Sequence, residues 1–311
     1  MSKVPKIGLV TVLYNSDEVL PDFFQSLAKQ SFQAYHLYII DNSANTGTQR
    51  LIDELGIRYP EVAFTYIANV GNRGVAAANN QGIQLAMGAG CTHTLLLNND
   101  IVIQQTDLIE NMYRHALQSG DRLIVPKILF YDSHKVWMAG GRLDKWRGST
   151  AHIGGLQDDG PLFSKPGYFN YAPTCFMLID NKLFNEIGLM DPSYFVYFDD
   201  TDFVYRATQR GYNVYLMPQL VVLHKESSST GGVDSPFFAY YFNRNRLLFV
   251  RKNFRGIYRG IALAVTLLAD LRKAVLYRPE NRKMLYRAVK DGLWMSSSRY
   301  NNRRRVIKTG T

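Results

Sequence analysis

The sequence predicts an α/β protein: a mostly parallel sheet flanked by helices, with a basic helical extension at its C-terminal end. Three observations lead there. The first hundred residues alternate strand and helix patterns in the order βαβαβαβ, which implies parallel strands joined by crossover helices. The polar residues that end those strands (Tyr14-Asn15, Asp41, and Asn98 to Asp100) converge on one edge, where ligands of such sheets bind. Charge is split as well. From Arg244 to Thr311 there are 18 Lys and Arg against three acids, whereas the rest of a +10 chain is net acidic.

The elements follow in order. "KIGLVTVLY" is a strand, and Asn15 with Glu18 makes a capping pair ahead of a helix that turns Val19, Leu20, Phe23, Phe24 and Leu27 to one face. "YHLYIID" is the second strand, ending at Asp41 and the turn "NSANTG". A short helix (Leu51, Ile52, Leu55) leads to strand "VAFTYI". "NVGNRGVAAANNQGIQLAMGAG" reads as a Gly-containing turn and a helix of small residues, and "LLLNNDIVI" (95–103) is the fourth strand. Helix "DLIENMYRHALQ" and strand "RLIVP" come next. Periodicity then weakens from about 128 to 170, where "WMAGGRLDKWRGSTAHIGG" suits a long functional loop or hairpins better than a helix. Strand "APTCFMLID", helix "NKLFNEIG", an aromatic segment ending in Asp199, Asp200 and Asp202, and strand "QLVVLH" ending at His224 complete the body. From Pro236 the chain is helical and basic, and Ala264, Leu267, Leu268, Leu271 and Val275 form an apolar stripe.

Composition excludes several classes. Hydrophobic content of 46% and charged content of 20% are globular values. Cys91 and Cys175 offer neither a disulfide framework nor metal-ligand spacing; they read as buried free thiols in a reducing cytoplasm. The N-terminus shows no apolar signal core, and "IALAVTLLA" is far short of the ~20 residues that span a bilayer. A dinucleotide fingerprint would need Gly-x-Gly-x-x-Gly after the first strand, and "GLVTVLYN" has none.

The ordered motifs "VTVLYN", "IIDNS", "NRGVAAANNQGI", "LLLNND", "MDPSYFVYFDDTDFVYR", "VVLH" and "YYFNRNRLLF" resemble glycosyltransferase family 2, in particular its bacterial rhamnosyltransferase-like branch, over roughly residues 6 to 255. The resemblance implies the GT-A fold, with a Rossmann-like nucleotide-binding sheet, and an inverting, metal-dependent sugar transfer. It implies a catalytic domain over 1–235, whose nucleotide-sugar half is about 1–104 and acceptor half about 105–235, followed by a basic helical region at 236–311.

By position, Asp41 matches the carboxylate that contacts the nucleotide base, and a carboxylate can accept the imide N–H of uracil or thymine. Its plain alternative is an Asx-turn cap in "DNSANTG". Thr11, Tyr14 and Asn15 match the nucleotide pocket, and Asn72, Gly74 and Asn80 match the following pattern. Asn98, Asn99 and Asp100 stand at the DxD position. Asp100 keeps the last carboxylate, and Asn98 replaces the first, leaving one carboxylate fewer for a hard cation, Mg²⁺ or Mn²⁺. His224 matches the second metal ligand. Asp199 and Asp200 match the acidic pair, with Asp200 as the general base, its pKa raised by like-charge repulsion. The alternative is an acidic helix start capped by Asp200 or Thr201. Asp202 and Arg206 are spaced as a supporting ion pair. Arg244 and Arg246 suit a diphosphate, or else begin an exposed basic helix.

The leading reading is therefore transfer of a sugar, L-rhamnose from dTDP-rhamnose first, to a glycan or lipid-linked acceptor in cell-surface polysaccharide synthesis. A UDP-linked donor (galactofuranose, glucose or galactose) is the alternative. The basic tail with interleaved Tyr and Trp raises another class, a nucleic-acid binder, and a non-catalytic sugar-binding scaffold on the same fold is a third. No recognition motif and an acidic body argue against the nucleic-acid binder, and intact Asp100, Asp200 and His224 argue against the scaffold. The tail is expected to lie on the inner face of the cytoplasmic membrane, with Arg303 to Arg305 meeting anionic headgroups, or else to pack on the body or in a homodimer.

Overall fold

The computed structural model describes residues 6–43, 45–226, 232 and 234–295. The N-terminal half contains β1 (Ile7–Leu13), α1 (Leu20–Ala28), β2 (Tyr35–Asp41), α2 (Thr46–Arg58), β3 (Phe64–Ala68), α3 (Val75–Gly88), β4 (His93–Leu97) and β5 (Ile101–Ile103). There follow α4 (Leu108–Ser119), β6 (Leu123–Phe130), β7 (Val136–Met138), β8 (Gly141–Asp144), β9 (Ser149–His152), β10 (Gly167–Phe169) and β11 (Phe176–Asp180). The chain continues through α5 (Asn181–Ile187), α6 (Asp199–Thr208), β12 (Val214–His224), α7 (Pro236–Asn253), α8 (Gly256–Leu276) and α9 (Pro279–Trp294).

The main sheet has the order β10-β12-β6-β11-β4-β1-β2-β3. The pairs β3–β2, β2–β1, β1–β4 and β6–β12 are parallel; β11 runs antiparallel between β4 and β6. Because that one strand reverses, β4 and β6 still point the same way. The carboxyl ends of β1, β2, β3, β4, β6 and β12 thus share one edge, as the sequence predicts for a ligand-binding rim. The strands of the centre are buried on both faces, which is why they read as unbroken Val, Ile and Leu runs.

Local differences from the sequence reading have physical causes. The Asn15–Glu18 capping pair does not form: Asn15 is left-handed (φ 48°), and a 3₁₀ turn over Asp17–Val19 enters α1 without a side-chain cap. The face predicted for that helix is buried nonetheless. "LLLNNDIVI" is two strands, since the polar triplet turns the chain so that β5 pairs antiparallel with β12. The strand expected to stop at Pro126 runs on to Phe130. Pro126 has no N–H to donate, and the register of β12 shifts just after its position, between Met217 and Val221, so the ladder absorbs it as an irregularity. The weakly periodic stretch from 128 to 170 is strands and hairpins, with β8 and β9 paired antiparallel. The small face of α3 packs on the sheet, burying Ala76, Ala78, Gly82 and Ala86, so these residues serve helix-on-sheet contact.

The basic region is packed onto the body. α7 carries Leu248, Phe249 and Val250 into a second core with Tyr194, Phe198 and Tyr205. Lys252 of α7 bridges Asp191 (2.6 Å) and Asp202 (2.8 Å), and the expected Asp202–Arg206 pair forms at 2.8 Å. Those cations hold the buried Asp202 carboxyl below the usual carboxylate range despite the opposing effect of burial. α9 crosses α7 so closely at Gly292 that a Cβ there would lie 2.8 Å from the Arg244 carbonyl oxygen. The stripe Ala264, Leu267, Leu268, Leu271 and Val275 faces outward, and α8 packs through Ala262, Thr266, Asp270 and Ala274 instead. Arg303 to Arg305 lie outside the described residues.

Candidate active site

The rim is built from strand ends in register: Leu13, Asp41 and Ala68 align across β1, β2 and β3. Asp41 is buried. One carboxylate oxygen accepts the Ser43 N–H (2.7 Å), closing the Asx turn, and the other accepts the Tyr66 hydroxyl (2.6 Å). Burial, then that hydrogen bond, pushes the Tyr66 phenol far up, so it stays a donor. Ser43 in turn accepts the Asn15 N–H (2.8 Å), which ties the first two strand ends together and accounts for the left-handed Asn15. Tyr14 is exposed beside it, whereas Thr11 is buried inside β1 with its hydroxyl unpartnered.

Of the triplet after β4, Asn98 is exposed and Asn99 donates to the Ser16 hydroxyl. Asp100 is buried against His224, because β5 doubles back and sets Ile101 opposite His224. The Asp100 Oδ1 to His224 Nε2 distance is 3.2 Å. That spacing suits a divalent ion: two neighbouring ligands of an octahedral Mg²⁺ site, each at ~2.1 Å, stand about 3 Å apart. No group of three His, Cys, Asp or Glu gathers among the described residues. The pair therefore fits a cation whose remaining ligands are water and substrate oxygens, as is usual for ions that accompany a diphosphate.

Across the rim, α6 begins with Asp199 and Asp200. Asp199 is buried; burial, and then the Asp200 charge, pushes its carboxyl up to about 8. Asp200 is partly exposed and accepts the Tyr171 hydroxyl (2.8 Å), the Thr201 N–H (2.6 Å) and the Thr201 hydroxyl (3.2 Å). Its carboxyl is also raised, by burial first, with those donors opposing the shift. Burial, more than the like-charge repulsion expected from sequence, raises both carboxyls. Of the two, Asp200 has the three donors that favour the anion, so it is the member of the pair that ionises more readily. Neither Asp200 nor Thr201 caps α6 in the ordinary sense; the cap position is Phe198.

Phe198 (φ 66°) and Tyr197 (φ 62°) are consecutive left-handed residues with bulky side chains. Each such residue costs about 1–3 kcal/mol and persists only when its surroundings impose it. Asn245, fully buried on α7, imposes it here by donating to the carbonyls of Val196 (2.7 Å) and Tyr197 (2.9 Å).

The hairpin region lines the gap between the two carboxylate sites. Trp137 meets His224 edge to face at 4.7 Å and His152 at 4.4 Å; His152 stacks on Tyr171 at 6.1 Å. Rings thus run without a break from His224 to the Tyr171 that holds Asp200. Burial lowers the His152 pKa, keeping that ring neutral. Trp137 and His152 belong to the segment "WMAGGRLDKWRGSTAHIGG" and Thr201 is a candidate cap from sequence, but Tyr171, Tyr66 and Asn245 carried no signal of their own. Only the place of Asn245 within "NRNRL" hinted at a role.

The remaining expected residues serve the frame. Asn72 accepts the Gly74 N–H (2.9 Å), and Gly74 is left-handed (φ 80°) with its would-be Cβ 2.6 Å from the Phe195 carbonyl oxygen. Asn80 spends its amide on both backbone groups of Met190 (2.8 and 3.0 Å). Arg244 and Arg246 begin no exposed helix. Both are buried, donating to the carbonyls of Ser193 (2.8 Å) and Arg147 (2.7 Å), and the Arg244 guanidinium lies over Tyr241. A Gly74→Ala chain is expected to lose about 2 kcal/mol or more of stability, read as a lower unfolding temperature, from the strained φ and the clash together.

The parallel sheet sets Asp41, Asp100 and His224 along the rim where α/β proteins bind their ligands, which marks a ligand-binding α/β protein. Residues 9–188 match the Glycosyl transferase family 2 profile, and the chain belongs to that family. It is 23% identical over 246 residues to the low-salt glycan biosynthesis hexosyltransferase Agl10 of Haloferax volcanii, covering 78% of this chain and 74% of that one. It is also 23% identical over 255 residues to the dTDP-rhamnosyl transferase RfbF of Shigella flexneri, covering 79% and 80%. Among solved structures, the mannosyltransferase PcManGT of Pyrobaculum calidifontis, in complex with GDP-Man and Mn²⁺, superposes with a TM-score of 0.60. That match has 13% identity and covers 94% of this chain and 88% of that one. The fold is GT-A, and the protein is a glycosyltransferase that uses a nucleotide sugar.

Proposed function

We propose that the protein is an inverting glycosyltransferase that moves L-rhamnose from dTDP-rhamnose to a glycan or lipid-linked acceptor at the inner face of the cytoplasmic membrane, in cell-surface polysaccharide synthesis. The observation that supports the chemistry is Asp200, whose carboxylate accepts from Tyr171 and Thr201 and is joined through the Tyr171, His152 and Trp137 rings to the His224 beside Asp100. Asp200 takes the proton of the acceptor hydroxyl as its oxygen attacks the anomeric carbon. The bond from that carbon to the β-phosphate oxygen breaks, and the nucleoside diphosphate leaves on the opposite face, so the anomeric centre inverts. Asp41 accepts the N3–H of the base, and Asn98 and Asn99 stand at the ribose and diphosphate. Asp100 and His224 would hold Mg²⁺ or Mn²⁺, which would supply positive charge to the leaving diphosphate. Arg244 and Arg246 act through the loops they brace.

The rhamnosyl donor is favoured by the similarity to the Shigella enzyme along four-fifths of both chains. Because N3–H is common to thymine and uracil, Asp41 admits UDP-sugars too. Nucleotide-sugar panels read by metal-dependent thermal shift decide the donor: dTDP-rhamnose is expected to raise the unfolding temperature most, and a larger shift with a UDP-sugar would reassign it. Tyr171→Phe tests the base. It removes a donor that favours the Asp200 anion, so the acid limb of the pH–rate profile is expected to move up by about one unit or more. An unmoved limb would take Tyr171 out of the site.

A further inference from the structure

α8 is packed inside out. Its buried positions, Ala262, Thr266, Asp270 and Ala274, recur every four residues and are small or polar. Leu263 packs on the second core, but the large apolar residues further along look away from the protein: Leu268 is 67% exposed, Leu271 66% and Val275 76%. On α9, Trp294 is 81% exposed. An isolated apolar residue on a surface needs no explanation, but a continuous helical stripe of them does. The charge around it is one-sided. Between 255 and 295 eight Lys and Arg are exposed, Arg259, Arg272 and Arg282 among them, against one exposed acid, Glu280. Arg272 lies one turn from both Leu268 and Val275, at the border of the stripe.

We propose that this face docks on an anionic lipid surface, with the leucines of α8 entering the headgroup–acyl boundary and the arginines meeting lipid phosphates. The composition matches an interfacial helix: an apolar face, a basic polar face and long cationic side chains able to reach headgroups. A second copy of the chain is a poor occupant, because a two-fold contact would set this positive face against itself. Nucleic acid would satisfy the arginines and leave the leucines in water. Among the described residues no helix is long and apolar enough to cross a membrane, so the contact lies along the surface. The sequence beyond 295 adds five Lys and Arg and no acid.

The test is co-sedimentation of the full chain with phosphatidylcholine vesicles, with and without phosphatidylglycerol. Binding is expected only with phosphatidylglycerol and should weaken as salt rises, since the attraction falls off within a Debye length. The triple variant Leu268→Glu, Leu271→Glu, Val275→Glu is expected to lose roughly tenfold or more in vesicle binding. Its substitutions are exposed, so its unfolding temperature and its donor turnover in solution should match the parent. Should the triple variant misfold, Arg259→Glu with Arg272→Glu and Arg282→Glu gives a second reading, with loss of the preference for anionic vesicles expected. Wild-type binding by a folded triple variant would overturn the proposal, as would equal binding to neutral vesicles. So would a dimer, seen by sedimentation velocity without lipid, that the triple variant dissolves, or salt-sensitive binding to a polynucleotide in place of vesicles.

Discussion

Substituting Asn for Asp200 is expected to leave donor binding intact and to slow sugar transfer by roughly two to four orders of magnitude, the scale of losing a general base. Asn is nearly the same size and its one oxygen can still accept from Thr201, while its NH2 faces the Tyr171 hydroxyl, which can turn to accept, so the start of α6 should hold its shape. What disappears is the ability to take a proton. Asp199→Asn should cost far less in rate, because burial already favours the neutral form of that carboxyl. It should also change how stability depends on pH. A carboxyl pushed up to about 8 binds its proton more tightly when folded than when unfolded. Its stabilising contribution is complete below the ordinary carboxylate range, about pH 4, and is lost as pH rises toward 8. Asp199→Asn should therefore gain on the parent across that window, measured by thermal unfolding at a series of pH values. Near-parental transfer by Asp200→Asn would place the base elsewhere.

Asp100→Ala and His224→Ala form the second large effect. Outer-shell changes around bound metals already cost about 10–100-fold in affinity, so removing either of the two ligands proposed here should exceed that range. Each variant is expected to lose the thermal shift produced by donor plus Mn²⁺ while keeping the shift-free unfolding temperature near the parent. Trp137 still holds the His224 ring when Asp100 is shortened, so the rim keeps its form. Full activity of the unmodified protein in chelator would remove the metal from the reaction.

Much of this was legible because hydrophobic periodicity and strand-end polarity are local signals. The alternating first hundred residues gave their strands and helices in the right order, and Asp41, Asp100, Asp200 and His224 all lie at element ends along the rim. What stayed hidden depends on long-range packing. Nothing near Tyr171 says that its hydroxyl will meet Asp200, 29 positions on. The inversion of α8 was equally invisible: the stripe is a property of the sequence, but which face packs depends on the neighbour, and α7 accepts the small one. Arg244 and Arg246 look like anion ligands by type, and only their carbonyl partners reveal them as braces.

The two left-handed residues before α6 have a consequence for how the enzyme can be divided. The amide that holds their backbone belongs to Asn245, beyond the point where a sequence-based boundary at 235 would end the catalytic unit. A chain stopped there would retain the whole parallel half, with its nucleotide-side residues, yet its acidic pair would sit on a loop free to relax. Such a fragment should occupy itself with donor and make no product. For anyone recombining domains to alter acceptor choice, α7 must travel with the base that it holds, and any exchange point belongs after Asn253.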